Sequence, residues 1–480
     1  MNRMKIQRFL ICALLIVLGL GVKNLTQSCL AQDSSMKLGY AIVATPAVME
    51  DEQWKGVVDS LKAKREADYN VATILWDDNL LETLKSVYPR YVAFVMKPEE
   101  ASIERSVAIW RLSRQMNDDP YGDFLWGIIT GFEPKDALRL TQVEDMLVTR
   151  ALGGTSIALD YFESGVVFDE GKKNHWRVKE PGQEAVDKND APDDTTHAIA
   201  EALNDAQLFV TSGHASERNW SIGYAYKNGF FVAQNGNLYG APSNDKPFEI
   251  HAQGSKIHLA SGNCLLGHVD KPDCLALALM RNANVDMLVG YLVPTWFGYM
   301  GWGIQDYYIE QPGRYTVAEA FYANNQALLY LLEQETTKAA SEEKASQENT
   351  QFRQGLAYDR DVVVLYGDPA WRNPLKTQDS GWKQELVCEK NDAGKDVWRL
   401  TITPLKGEKT YGLLDGNGSE RSGRPVIQIF PQKIDRPVLV EGSEFAPVLT
   451  ENFILIPLKE LQKNLDQPTV ITFTSQDDAN

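Results

Sequence analysis

Short apolar runs alternate with amphipathic stretches through the first third of the chain. The runs 38–44, 71–76, 91–96 and 124–129 suit buried strands, and 54–65, 80–87 and 99–116 carry helical spacing. Strands separated by helices predict a parallel sheet with helices on both faces. The segment 174–196 is polar, contains Pro181 and Pro192, and reads as a surface loop or insertion. The rhythm then resumes, with helical stretches at 199–205, 274–282 and 316–333 and strand-like runs at 207–211, 256–261, 285–293 and 361–366. The charged, Ala-rich stretch 333–349 reads as an exposed continuation of the preceding helix. After Lys376 the pattern changes to short runs at 382–388, 397–403, 426–430, 438–440, 453–457 and 469–474, separated by Gly, Asn and Pro turns, which predicts a small antiparallel β-sandwich.

The first residues change the picture. Arg3, Lys5 and Arg8 precede an apolar run over 9–22, too short to span a bilayer comfortably. Small residues around Cys29-Leu30-Ala31 predict cleavage before Gln32, so 1–31 reads as an export signal and the protein as periplasmic, cell-surface or secreted. Thr26-Gln27-Ser28 is unlike the small apolar sequence that precedes a lipid-anchored cysteine, and no later stretch is apolar enough for a transmembrane helix. The 480 residues are 44% hydrophobic and 24% charged, a globular composition, and the net charge of −17 argues against a nucleic-acid partner. Cleavage leaves Cys264, Cys274 and Cys388, an odd count that excludes a disulfide scaffold.

Two predicted strands end in residues with chemistry. One delivers His214 after Ser212-Gly213, and the other delivers Cys264 after Gly262-Asn263. If the strands are neighbours, a thiol and a base share one sheet edge, which nucleophilic catalysis requires. The flanking glycines admit a substrate backbone, and N–H groups near Cys264 are available to an oxyanion. His268, His251 and His258 are rival bases, and a buried cysteine with an unrelated histidine is the bland alternative. The histidines lack close zinc-ligand spacing, so no metal site is expected, and no G-x-S-x-G elbow is present.

The segment His214-Ala215-Ser216-Glu217-Arg218-Asn219-Trp220 resembles the His-Gly-Ser-Glu-x-x-Trp segment of the gingipain family of cysteine peptidases. Asn263-Cys264-Leu265-Leu266-Gly267 resembles its Ala-Cys-x-x-Gly nucleophile segment, and Cys274 to Arg281 is similar to its Cys-Phe-Ala-Glu-Ala-Leu-Met-Arg helix. Gly367-Asp368-Pro369 is similar to its closing Gly-Asp-Pro. The resemblance runs from about Leu208 to Arg372. It implies a caspase-like α/β unit over 32–376, in subdomains of about 32–150 and 151–376, followed by an immunoglobulin-like β-sandwich over 377–480.

The implied activity is that of an exported cysteine-type endopeptidase acting on peptide or protein substrates. Cys264 would be the nucleophile, His214 the general acid and base, and the backbone N–H groups of Ala215 and Cys264 the oxyanion hole. Glu133 stands near where the family supplies an orienting carboxylate, although a helix-start acid explains it as well. Glu144 would floor a pocket for Arg or Lys, and Trp296 resembles the pocket tryptophan. The resemblance also admits a structural calcium, but no calcium loop of recognised spacing is visible and no organic cofactor is indicated. Three departures stand out. Ala215 replaces the family's Gly, Asn263 replaces a small apolar residue, and a hairpin at roughly 224–256 is inserted between His214 and Cys264. A long propeptide is also missing. Transpeptidation on the same thioester, and a non-catalytic binding scaffold that keeps the fold, are the alternative functions.

Overall fold

The computed structural model describes residues 38–269, 271–341, 347–391 and 394–476; the expected export signal lies outside them. The first strands, β1 (Gly39–Ala44), β2 (Asn70–Leu75), β3 (Tyr91–Val95) and β4 (Leu125–Ile129), coincide with the first apolar runs. They are followed by β5 (Arg150–Gly153), β6 (Ser164–Phe168), β7 (Trp176–Lys179), β8 (Val186–Lys188) and β9 (Leu208–Thr211). Next come the short strands β10 (Asn219–Ser221), β11 (Phe230–Gln234), β12 (Asn237–Ala241) and β13 (Phe248–Glu249), then β14 (Lys256–Ala260), β15 (Val285–Tyr291) and β16 (Val363–Tyr366).

One mixed sheet of 12 strands runs in the order β2-β1-β3-β4-β16-β15-β14-β9-β5-β6-β7-β8. Neighbours are parallel except at β16–β15, β6–β7 and β7–β8. Because β16 is parallel to β4 but antiparallel to β15, the half containing β1–β4 runs opposite to the half containing β15, β14, β9, β5 and β6. The two stretches expected as subdomains therefore build a single sheet.

Three elements go beyond the sequence reading. The polar stretch 174–196 is no simple loop, since β7 and β8 extend the sheet edge, with Trp176 stacked on Phe168 at 5.7 Å. Edge strands have one solvated side and need no apolar run. The helix Tyr299–Tyr308 lies in a stretch where Gly301 and Gly303 argue against helix. Both glycines serve close approach: a Cβ at Gly301 would overlap the Ser261 carbonyl, and one at Gly303 would overlap the Arg424 guanidinium. The helix Gln347–Asp359 follows the long helix Val317–Ser341. The insertion between β9 and β14 is a separate antiparallel sheet, β10-β11-β12-β13, whose β11–β12 turn uses Asn235 and Gly236 at φ 54° and 75°.

The C-terminal part contains β17 (Trp382–Lys390), β18 (Asp396–Pro404), β19 (Val426–Ile429), β20 (Pro437–Glu441), β21 (Val448–Leu449), β22 (Phe453–Ile456) and β23 (Thr469–Ser475). They form two antiparallel sheets, β17-β18-β23-β20 and β19-β22-β21. The middle strand of the second sheet, β22, is buried on both faces. On β22, Ile454 and Ile456 join a local core with Leu400, Ile402, Ile471 and Phe473, whereas Phe453 and Leu455 join the core of the large α/β unit. This is the period-2 alternation of a strand covered on both sides. Phe453 packs edge-on against Tyr121 at 5.4 Å and Tyr322 at 6.1 Å, fixing the C-terminal sheets to the α/β unit.

Candidate functional site

The strands carrying His214 and Cys264 are adjacent and parallel, with Thr211 of β9 opposite Ala260 of β14. Both chains leave the sheet at the same edge, so the imidazole and thiol project from neighbouring loops. Beyond β14 lies β15, whose end leads to Thr295 and Trp296; beyond β9 lie β5, leading to Thr155, and β6, leading to Glu170. Five neighbouring parallel strands thus deliver polar groups to one crest.

Each loop is held in place. Trp220 is buried, and its indole N–H donates to the Ser212 carbonyl at 2.8 Å, which pins the turn before His214. The left-handed residue of that turn is Gly213, at φ 89°. Ala215 is not among the positive-φ residues, so the replacement of Gly by Ala brings no backbone strain. Ala215 faces Trp220 in a small antiparallel bridge whose bonds are Ser216 N–H to Asn219 O and Ser221 N–H to His214 O, both 2.8 Å. In such a pair the intervening N–H points away from the hairpin. Neither the Ala215 nor the Cys264 N–H donates a hydrogen bond among the described residues.

Asn263, fully buried, joins the two loops. Its Oδ1 accepts the Thr211 hydroxyl at 2.6 Å, and its Nδ2 donates to the Gly213 carbonyl at 3.2 Å. The Thr211 oxygen is 2.8 Å from Nε2 of His258 and, having given its only proton to Asn263, takes the imidazole N–H. Burial lowers the His258 pKa to about 3, so this ring stays neutral inside β14 and is no base. His251 is exposed and pairs with Glu249 at 3.2 Å, before β14 begins.

Cys264 is half-buried, and its Sγ accepts the Thr295 N–H at 3.3 Å. Leu265 follows at φ 60°, a left-handed conformation uncommon for a residue other than glycine. Trp296, 51% exposed, adjoins Thr295 and meets Tyr358 edge-on at 5.5 Å. The Tyr358 phenol is raised by burial first, then by Asp359 and the Cys264 sulfur, which marks it as a neighbour of the thiol. The exposed His214 ring lies 5.2 Å from that of Tyr224 and makes no hydrogen bond to Cys264 in this structure. Cys274 is buried at the N-cap of the helix Leu275–Asn282, and no disulfide joins it to Cys264 or Cys388.

Glu133 and Glu144 are not part of this crest. Glu133 caps the helix Pro134–Leu140 and pairs with Lys135 at 2.6 Å and Arg281 at 3.5 Å. Its hydrogen bond with Lys135 holds its carboxyl below the ordinary range. Arg281 sits at the far end of the helix Leu275–Asn282, whose first N–H donates to Glu217 in the His214 loop at 2.7 Å. Glu144 is exposed, with its carbonyl bound to Trp371, on the stretch entering β5 and therefore at the edge where β5 and β9 begin. The family resemblance suggested Glu133, and Glu144 was the candidate pocket acid, but the strand directions send them elsewhere.

The carboxylate at this crest is Glu170, which the sequence reading missed. It accepts the Ser212 hydroxyl beside the His214 turn, and the Thr155 hydroxyl at 2.6 Å. Its carbonyl accepts the N–H of Tyr224, the residue against His214, at 2.6 Å. The usable signal was Gly165-Val166-Val167-Phe168 followed by Asp169-Glu170, an apolar run ending in acids. Among the described residues, no group of three or more His, Cys, Asp or Glu side chains is arranged to hold a metal ion, and no helix is long and apolar enough to cross a membrane. Compared with protein-family models, curated proteins and solved structures, the chain shows no match.

Proposed function

We propose that this chain is an exported cysteine endopeptidase of the gingipain-like type, with a caspase-like α/β unit and an immunoglobulin-like sandwich. The observation that carries the reading is the delivery of His214 and Cys264 by adjacent parallel strands to one edge. The Thr295 N–H on Sγ and the unengaged N–H groups of Ala215 and Cys264 support it. In the reaction, His214 takes the thiol proton as Sγ attacks the scissile carbonyl. The oxyanion gathers the two free N–H groups, and the same proton passes to the leaving amine. Water then adds to the thioester, with His214 again as base, and releases the acid and the thiol. Glu170 takes the bracing role expected of Glu133. Trp296 lines the entrance for the substrate side chain.

The exposed His214 and its missing bond to Cys264 favour a second reading, a binding scaffold that retains the fold. Catalytic hydrogen bonds are often long before substrate binds, so labelling decides. Purified mature protein is treated, under reducing conditions, with thiol-reactive peptidyl probes carrying Arg, Lys or a neutral residue at P1. Labelling that maps to Cys264, follows one P1 type and falls by about 10²-fold or more in His214→Ala is expected for the peptidase. Equal labelling of wild type, His214→Ala and Cys264→Ala leaves only the scaffold.

A further inference from the structure

The C-terminal unit sends the segment between β18 and β19 across the α/β unit to the crest. Its anchor is ionic and buried. Arg421 pairs with Asp306, and Arg424 reaches Asp306 at 3.3 Å; all three side chains are at most 5% exposed. Glu310 accepts the N–H groups of Leu414 and Asp415 at 3.2 and 3.3 Å, and Asp306 accepts that of Ser422 at 3.1 Å. Between these anchors the chain is forced into left-handed conformations at Gly418, Glu420, Ser422 and Gly423. Two of these are not glycine, and such strain persists only where surrounding contacts impose it.

The anchored segment presses on the machinery. A Cβ at Gly418 would overlap the Trp302 indole, and so would a Cβ at Gly262, two residues before Cys264. Trp302 is thus held between the nucleophile loop and the C-terminal segment. On the other side, Nδ2 of Asn417 donates to Oε1 of Glu170 at 3.1 Å and lies 3.4 Å from the Thr155 hydroxyl. Glu170 in turn holds Ser212, two residues before His214, and, through its carbonyl, Tyr224, whose ring lies against His214.

We propose that Asn417 is a positioning residue for His214, supplied by the C-terminal unit, so that both units together build the active centre. This rests on the peptidase reading of Cys264 and His214. Asn417 orients Glu170 by donating to one oxygen, which leaves the other for Ser212. Its side chain is exposed, so its replacement leaves the fold intact.

The test is the rate of Cys264 alkylation by iodoacetamide between pH 5 and 9, read by peptide mass mapping on the full mature chain, with Cys388 as internal reference. Asn417→Asp removes the donor and sets a carboxylate against Glu170. It is expected to slow Cys264 about tenfold at pH 8, with the deficit shrinking toward pH 5 as one carboxylate takes a proton, while Asn417→Ala gives about a threefold loss without that pH dependence. Unfolding midpoints stay at the wild-type value. Wild-type rates and pH profile in both variants overturn the proposal, as does a loss of rate matched by a loss of stability. If wild-type Cys264 reacts no faster than Cys388 and ignores His214→Ala, the peptidase reading itself fails, and the inference with it.

Discussion

The two halves of the large sheet are made of the same units and finish their strands differently. In the β1–β4 half, strand ends run directly into capped helices. Thr45 caps Pro46–Met49, Lys97 precedes the turn Pro98–Glu100, and Glu133 precedes Pro134–Leu140. Their polar groups satisfy one another: the Thr45 hydroxyl donates to Glu100 at 2.8 Å, and Lys97 pairs with Asp51 at 2.9 Å. In the other half the helix is postponed. After β14 the chain passes Cys264 and the left-handed Leu265 before a helix begins at Leu275, and after β15 it passes Thr295 and Trp296 to Gly298 at φ 93°. A strand end that caps its own helix has its donors and acceptors committed. One that loops first keeps N–H groups and side chains for a ligand. On this comparison, changes in the first half alter stability without chemistry, and changes in the second alter chemistry more than stability.

The largest effect expected on the stability side comes from Asp368, in the Gly-Asp-Pro segment after β16. Its carboxylate accepts Tyr40 Oη at 2.9 Å and pairs with Arg65 at 2.6 Å, with both ionic side chains at most 5% exposed. Asp368→Asn leaves a buried guanidinium without its counter-charge and is expected to cost about 3–5 kcal/mol in urea unfolding. The alkylation rate of Cys264 in the still-folded fraction is expected to be unchanged. A fall in that rate at unchanged stability would break the comparison.

The junction of the first half with the C-terminal sheets gives the next effect, and it depends on pH. Asp123 accepts Tyr88, Asn117 and, from the C-terminal part, Asn452 at 2.8–2.9 Å, while its second oxygen is buried without a partner. Burial outweighs the Tyr88 hydrogen bond and raises its carboxyl to about 7. The folded state therefore holds a proton that the unfolded chain releases near pH 4. This stability is present below pH 4, declines as pH rises and is gone above about 7, a span of up to about 4 kcal/mol. Unfolding midpoints measured from pH 4 to 8 are expected to fall less steeply in Asp123→Asn than in wild type. Parallel curves would show that Asp123 ionises normally.

Much of this contrast was legible in the chain, and some of it was not, for physical reasons. The apolar runs of β1, β3, β4, β9, β14, β15 and β16 announce themselves because both faces of these strands are covered. β5 and β6 are short, β5 ending in Gly153-Gly154 and β6 opening on Ser164-Gly165, so the sheet position of Glu170 stayed hidden. Strand ends were legible, but not the reversal between β16 and β15, which depends on which strands become neighbours. Glu133, suggested by the family resemblance, and Glu144, the candidate pocket acid, therefore fall at other edges. Asn263 read as a departure from a small apolar residue, and only the pairing of β9 with β14 gives its amide a purpose.

That purpose allows the finest test of the comparison. Asn263→Ala removes the side chain whose amide ties the His214 turn to the Cys264 loop, while β9 and β14 stay paired beneath it. The Gly213 carbonyl is next to solvent and recovers a partner in water. The Thr211 hydroxyl is buried and loses its acceptor, a cost of about 1–3 kcal/mol. The larger consequence is geometric: with the His214 turn free to move by about 1 Å, a loss of up to about 10²-fold in kcat/KM is expected. Asn263→Asp separates the two effects, because a carboxylate still accepts from Thr211 but cannot donate to Gly213. If kcat/KM tracks the Gly213 bond, Asp fails like Ala. If Asp restores kcat/KM, the Thr211 bond alone sets the loop, and the second half behaves like the first, as packing rather than as a placed site.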